Sequence, residues 1–281
     1  MRKLKELLKD KLTEEELKLV KSSFDIVGSK EKAVAIIEIP KELEEKKGLI
    51  AEAIMKLNKN VKSVLRKISG RRGDLRLREF ELVAGNPNTE VLHKENGYIL
   101  KLDPQKVYFS PREATERMRI AKQVKAGEKV LVMFSGVGPY CIAIAKFQPL
   151  VEKVYGIEIN PIAHKYAEEN VRINKLSHKI VLIEGDVRDV YKNFKNFFDR
   201  IVMPLPLGGE EFLELAVYCL KKGGYIHFYS WGLEEDPYVK GMKIIEKFVK
   251  AYKIIGKRLV LPYAPRKWKV CIDLQVLNDE K

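Results

Sequence analysis

The chain is poor in metal-ligand and crosslinking residues: three cysteines and four histidines in 281 residues. Cys141, Cys219 and Cys271 stand singly within apolar segments, and no Cys-x-x-Cys or Cys/His ligand spacing occurs. A zinc site and a disulfide scaffold are therefore both disfavoured, and buried, reduced thiols are expected. Long hydrophobic runs are missing too. The longest, Val130 to Ala145, is broken by Gly136, Gly138 and Pro139 and is too short to cross a bilayer. The opening MRKLKELLKDKL mixes acids and bases and lacks the apolar stretch of a secretory signal. Internal repeats and low-complexity tracts are absent. What remains is a soluble protein with no membrane partner, expected in the cytoplasm and as a monomer.

Charge, by contrast, is plentiful and unbalanced. Hydrophobic residues at 46% and charged residues at 33% describe a globular chain. Lys and Arg number 53 against 39 Asp and Glu, a formal net charge of +14. A Lys/Glu-rich surface suited to high temperature accounts for the total but not the imbalance. Phosphate neutralisation and counterion release accounts for the imbalance, so a nucleic acid is the expected partner.

Residues 1–22 read as one amphipathic helix, with Leu4, Leu7, Leu8, Leu12, Leu17 and Val20 near helical spacing. Strands are expected at Phe24–Val27 and Ala33–Ile39, then a helix from Pro40 with Leu43, Leu49, Ile50, Ala53, Ile54 and Leu57 on its apolar face. Further strands follow at Val61–Ile68, Leu75–Val83, Thr89–His93 and Tyr98–Leu102. From about residue 113 the pattern changes to alternation: helix 116–124, strand 129–134, helix 139–146, strand 153–157, helix 161–174, strand 179–184, strand 200–203, helix 209–221 and strand 224–230. Strands separated by helices imply a parallel, doubly wound sheet. Lys257–Leu261 and Lys267–Val276 then read as an antiparallel pair closing it, the order typical of class I methyltransferases. The expected organisation is an α+β domain over residues 1–112 and a Rossmann-like α/β cofactor domain over 113–281.

Three motifs sit at consecutive strand ends of that second half. Val130-Leu-Val-Met-Phe-Ser-Gly136-Val-Gly138-Pro runs from strand to helix, where glycines let the backbone approach a ligand and the helix start favours an anion. Glu158, in Tyr155-Gly-Ile-Glu158-Ile-Asn160-Pro161, is placed to accept hydrogen bonds from vicinal ribose hydroxyls. Asp186 ends the third strand, where it can bind an adenine amino group. Each acid could instead cap the following helix. A nicotinamide dinucleotide is the rival ligand, but it wants a small third residue where Cys141 stands and has no need of Asp186. S-adenosylmethionine fits the spacing better. Phe134, Val187 and Pro204 flank these positions and complete the expected cofactor set, with Tyr108 and Phe109 from before the sheet. Tyr108, Phe109 and Trp231 could stack on a base, or simply pack in a core.

Beyond the generic turn, the chain from about residue 60 onward resembles the archaeal and eukaryotic tRNA (guanine-N1)-methyltransferases that modify guanosine 37. The resemblance rests on Leu75-Arg76-Leu-Arg78-Glu79, His93-Lys-Glu-Asn-Gly97, Val107-Tyr108-Phe109-Ser110-Pro111-Arg112, Glu116-Arg117, Asp186-Val-Arg188, Gly223-Gly224-Tyr-Ile-His227-Phe-Tyr229 and Tyr263-Ala-Pro265-Arg266. It implies methyl transfer to a guanine of the tRNA anticodon loop, with Glu116 as general base and Arg76 as the cation beside the target base. The chemistry is coherent, because guanine N1 carries a proton that a base must remove, and charge then builds on O6. A basic cluster of Lys62, Arg66, Lys67, Arg71, Arg72, Arg76 and Arg78 would contact phosphates. The substrate base must leave its stack to reach the methyl group.

Three departures from the family pattern stand out. Pro204-Leu205-Pro206 replaces an Asn-Leu-Pro motif, removing an amide. Val132 stands where an acid is common. Longer relatives carry an N-terminal domain that recognises the tRNA elbow, and this chain is expected to begin without it. Two alternatives stay open. A related wyosine-pathway family transfers the aminocarboxypropyl group of the same cofactor and shares the His-Lys-Glu pattern. A non-catalytic RNA-binding protein retaining the cofactor fold is the third reading.

Overall fold

The computed structural model describes residues 2–70, 73, 77–206 and 208–277. The chain divides into two compact units, Met1–Pro111 and Arg112–Lys281.

In the first unit, α1 (Arg2–Leu8) and α2 (Glu14–Leu19) replace the single helix expected over residues 1–22. A capping box explains the break: the Glu16 amide donates to Thr13 Oγ1 at 3.2 Å, and the Thr13 amide donates to Glu16 Oε2 at 2.8 Å. That reciprocal pair starts a new helix instead of continuing the old one. Leu4, Leu8, Leu12 and Val20 are buried all the same. β1 (Asp25–Gly28) and β2 (Ala33–Ile37) form a hairpin. The helix expected from Pro40 is a 3₁₀ segment, Lys41–Lys46, leading into α3 (Lys47–Leu57). Leu43 leaves helical geometry at φ −108°, ψ 20°, and its side chain is fully buried, so core packing overrides helical regularity there.

β3 (Val61–Lys67) lies parallel to β2 across the α3 crossover, and β4 (Phe80–Gly85) returns antiparallel, giving the sheet order β1-β2-β3-β4. Of the strand expected over Leu75–Val83, Leu75 and Arg76 lie outside the described residues, and β4 begins at Phe80. β5 (Val91–Glu95) and β6 (Tyr98–Leu102) form a separate hairpin.

The second unit begins with α4 (Ala114–Gln123). Alternation then follows: β7 (Lys129–Met133), α5 (Pro139–Phe147), β8 (Lys153–Glu158), α6 (Pro161–Ile173), β9 (Ile180–Glu184), α7 (Val187–Val190) and β10 (Phe198–Met203). After it come α8 (Leu213–Cys219), β11 (Leu220–Leu233), α9 (Val239–Phe248), β12 (Tyr252–Ala264) and β13 (Lys267–Val276). The expected helix 209–221 is shorter, because a 3₁₀ turn (Glu210–Phe212) precedes it and β11 starts at Leu220. α9 was not anticipated, although Met242, Ile245 and Phe248 recur at helical spacing and pack into the core.

The seven strands run in the order β12-β13-β11-β10-β7-β8-β9, parallel from β11 to β9, with β13 antiparallel to both neighbours. This is the class I methyltransferase sheet that the alternating pattern predicts. The carboxyl ends of β10, β7, β8 and β9 therefore lie in one row, which sets the stage for a ligand site.

Candidate active site

The turn after β7 holds three residues in left-handed backbone: Phe134 at φ 57°, Gly136 at 56° and Gly138 at 83°. For the glycines this is free of steric cost; for Phe134 it costs about 1–2 kcal/mol and marks a held conformation. The Phe134 ring packs edge-on against Phe212 at 4.8 Å. Gly138 precedes Pro139 at the start of α5, and a Cβ on it would come within 3.4 Å of Ala167 in α6. Cys141 takes the place of the third small residue because β8 carries Gly156 opposite it. A Cβ at Gly156 would sit 2.9 Å from the Cys141 sulfur.

Glu158, at the end of β8, ties this turn down. Its Oε2 accepts the Gly136 amide at 2.7 Å and its Oε1 the Asn160 amide at 2.8 Å. Burial pushes its carboxyl up, against the pull of those backbone donors. The Ile159 backbone also hydrogen-bonds this carboxylate. An ionised carboxylate at the end of a strand is an acceptor of the kind that the two hydroxyl donors of a vicinal diol require, so Glu158 fits a ribose. Asn160 caps α6, its Oδ1 accepting from the amides of Ile162 at 3.0 Å and Ala163 at 3.4 Å.

Asp186 is differently placed. It caps the short α7, with its Oδ1 accepting the Arg188 amide at 2.8 Å, and the Arg188 guanidinium folds back onto both oxygens. The hydrogen bonds from Arg188 hold its carboxyl below the usual range. An adenine amino group could use Asp186 only if Arg188 swung away. More than half exposed, that side chain loses little by doing so. Val187 beside it is buried in the core. Pro204 directly follows β10 and has no amide hydrogen to offer.

Tyr108 and Phe109 belong to the first unit, where Phe109 packs edge-on against His93 at 4.9 Å. Trp231 is buried, and Tyr263 lies against it at 4.1 Å between ring centroids. The exposed member of that pair is Tyr263. Arg71, Arg72 and Arg76 lie outside the described residues.

Glu116 lies on α4 and is buried, at 4% exposure. The Tyr229 hydroxyl on β11 donates to its Oε1 at 2.5 Å, and Tyr140, in the first turn of α5, donates to the Tyr229 hydroxyl at 3.2 Å. Arg119, one turn along α4, grips Glu116 through two hydrogen bonds of 2.8 Å and also binds Asp273 on β13. Asp273 in turn meets His227 Nδ1 at 2.6 Å, and His227 Nε2 meets Arg200 Nη1 at 2.8 Å. Arg200 closes the series on Glu128 at 2.7 and 3.0 Å. None of these long-range partners follows from local spacing; the only signal available is the repeat of polar residues along one face of α4.

The tautomer of His227 follows from its neighbours. Arginine can only donate, so Nε2 must accept, and Nδ1–H must donate to Asp273. The ring is neutral. Burial pushes its pKa below the usual 6.5, and the nearby Arg200 and Arg119 charges act in the same direction. The unfolded chain therefore binds the extra proton first as pH falls from 6.5. Stability from this group is complete above pH 6.5 and is lost as pH drops through the folded value. Thermal melts from pH 8 down to 5 should show a falling Tm, with a shallower slope for His227→Gln. An unchanged slope in that variant would remove the assignment.

His227, Cys271 and Asp273 bring ligand-type atoms within 4.8 Å of one another. Two guanidiniums flank the group, and burial pushes the Cys271 thiol up, so it is a poor place for a cation.

Comparison with known proteins shows the family of the chain. The sequence model of the TRM5/TYW2 methyltransferase domain matches residues 91–255, and that of the TYW2 N-terminal domain matches residues 4–89. The tRNA (guanine(37)-N(1))-methyltransferase Trm5b of Pyrococcus abyssi is 45% identical over 91% of this chain and 75% of its own length. The tRNA(Phe) (4-demethylwyosine(37)-C(7)) aminocarboxypropyltransferase of Pyrococcus horikoshii is 32% identical over 98% of this chain and 97% of its own. The solved complex of aTrm5 and tRNALeu superposes with a TM-score of 0.84 at 37% identity, covering 96% of this chain and 76% of that one. The chain belongs to the TRM5/TYW2 methyltransferase family.

Proposed function

We propose that this protein transfers a methyl group from S-adenosylmethionine to N1 of guanosine 37 in tRNA. The observation that carries the reading is Glu116: a buried carboxylate, aimed by Tyr229 and Arg119, in the same unit as the glycine turn and Glu158. Gly136, Gly138 and Phe134 shape the turn, Glu158 holds the ribose hydroxyls, and Asn160, Asp186, Val187 and Pro204 bound the rest of the site. Bound there, S-adenosylmethionine supplies an electrophilic methyl group. Glu116 removes the N1 proton as the new bond forms, and Arg76 steadies the charge that builds on O6. Tyr108 and Phe109 are the aromatic residues that this reading assigns to stacking.

RNA suits the charge distribution. Residues 1–111 carry 24 basic against 18 acidic side chains, and residues 112–281 carry 29 against 21. Both units thus have cations in excess for phosphates. The α+β unit, residues 1–111, serves as the RNA-gripping domain in this reading.

Aminocarboxypropyl transfer is the second reading, favoured by one observation: the model of the TYW2 N-terminal domain matches residues 4–89. The deciding experiment treats unmodified tRNA transcripts and, in parallel, tRNA carrying a wyosine precursor at position 37 with cofactor labelled separately in its methyl and carboxypropyl groups, followed by mass spectrometry of nucleosides. Methyl label in 1-methylguanosine at position 37 is expected. Carboxypropyl label in the RNA would hand the function to the second reading, and no label from either group would sink both.

A further inference from the structure

α4 meets the sheet through charge as well as apolar contact. Glu116, Arg119 and Gln123 recur at helical spacing, with Glu113 just ahead of the helix, and each binds a residue of β11 or β13. Glu113 takes Lys269 at 2.8 Å, Glu116 takes Tyr229, Arg119 takes Asp273, and Gln123 reaches Asp273 at 3.3 Å. Most of these groups are buried, where an unpaired charge is costly, so their geometry is tightly determined.

The Glu116 carboxylate has four acceptor positions. Oε1 receives the Tyr229 hydroxyl and Arg119 Nη2, while Oε2 receives Arg119 Nε alone. One acceptor position is left, and it is on Oε2. Burial pushes the Tyr229 and Tyr140 hydroxyls well above their usual range, so both stay protonated and keep donating toward Glu116. Asp273 anchors Arg119 from the opposite side, and hydrogen bonds from His227 and Arg119 hold its carboxyl far below the usual range in spite of burial.

We propose that Arg119, anchored by Asp273, is a positioning residue that leaves Oε2 of Glu116 as the single acceptor for the substrate proton. This inference rests on the reading of Glu116 as the base. In the step it serves, the N1–H bond breaks and an O–H bond forms on Oε2. The N1 electron pair forms the bond to the methyl carbon, and the C–S pair leaves with sulfur. A carboxylate free to rotate would present the wrong oxygen, or the wrong lone pair, for much of the time, and misplacement of about 1 Å can cost roughly a hundredfold in rate.

A double-mutant cycle tests this, using single-turnover rates at saturating tRNA and cofactor for the full-length protein, Arg119→Lys, Glu116→Gln and the double variant. Lysine keeps the charge but cannot grip two oxygens at once. Arg119→Lys is expected to lower the rate by about 10–100-fold with KM values little changed. In the Glu116→Gln background the same substitution should change the residual rate less than about twofold, since there is no base left to aim. An equal fall in both backgrounds, or no fall in the first, overturns the positioning role. Full activity of Glu116→Gln alone would instead overturn the base. Asp273→Asn, which weakens the anchor without touching Glu116, should act in the same direction and replaces Arg119→Lys if thermal melts show that variant unfolded.

Discussion

Glu116→Gln is expected to lower single-turnover methylation by about 10²–10⁴-fold while leaving affinity for S-adenosylmethionine nearly intact. A carboxamide keeps the size and one acceptor oxygen but cannot take a proton. The cofactor-holding groups, Gly136, Gly138 and Glu158, belong to a different turn and do not depend on it. The substitution also places an NH₂ group against the Arg119 donors that now grip the carboxylate. A loss of about 1–3 kcal/mol in stability should accompany it, the penalty for a buried donor facing a donor. Rapid-quench kinetics, calorimetric titration with the cofactor and a thermal melt on one preparation separate the three effects. A variant that is folded, binds cofactor and methylates at the wild-type rate would remove Glu116 from the chemistry.

Arg200→Met should unfold the second unit far more readily, by about 3–5 kcal/mol, or a fall of roughly 6–20 °C in Tm. Arg200 is 2% exposed, and its guanidinium binds both oxygens of Glu128, the Gln123 carbonyl at 2.8 Å and His227 Nε2. Its removal leaves the Glu128 carboxylate buried without a counter-charge, which is more expensive than the pair itself is favourable. Removing both charges together should therefore restore most of the loss: Arg200→Met with Glu128→Leu is expected to melt nearer the wild type than Arg200→Met alone. Differential scanning calorimetry at neutral pH reads both. Equal melting of wild type and Arg200→Met would mean the pair contributes nothing to holding α4 and β7 against β10.

How far the sequence carries varies with the range of the interaction. The alternation from residue 129 onward, the turn at Gly136 and Gly138, and the caps at Asn160 and Asp186 all depend on neighbours within a few residues, and the sheet follows from them. Local reading failed where a second local signal or the core intervened. Thr13 and Glu16 split the first helix, Leu43 bends the second, and the apolar period of α9 is masked by five lysines from Lys240 to Lys253. Cys141 stands where a small residue is wanted, and Gly156, on the next strand, supplies the room.

Within the candidate site, the residue types and their order along the chain were legible, but their partners were not. A strand-end acid, a left-handed turn and a lone helix glutamate are each written in consecutive residues, because backbone conformation and hydrophobic period act over that distance. The Tyr229 and Asp273 contacts that orient Glu116 and Arg119 join residues 113 and 154 positions apart. Only the folded sheet brings β11 and β13 under α4, and only burial there turns ordinary charged side chains into a fixed hydrogen-bonded array.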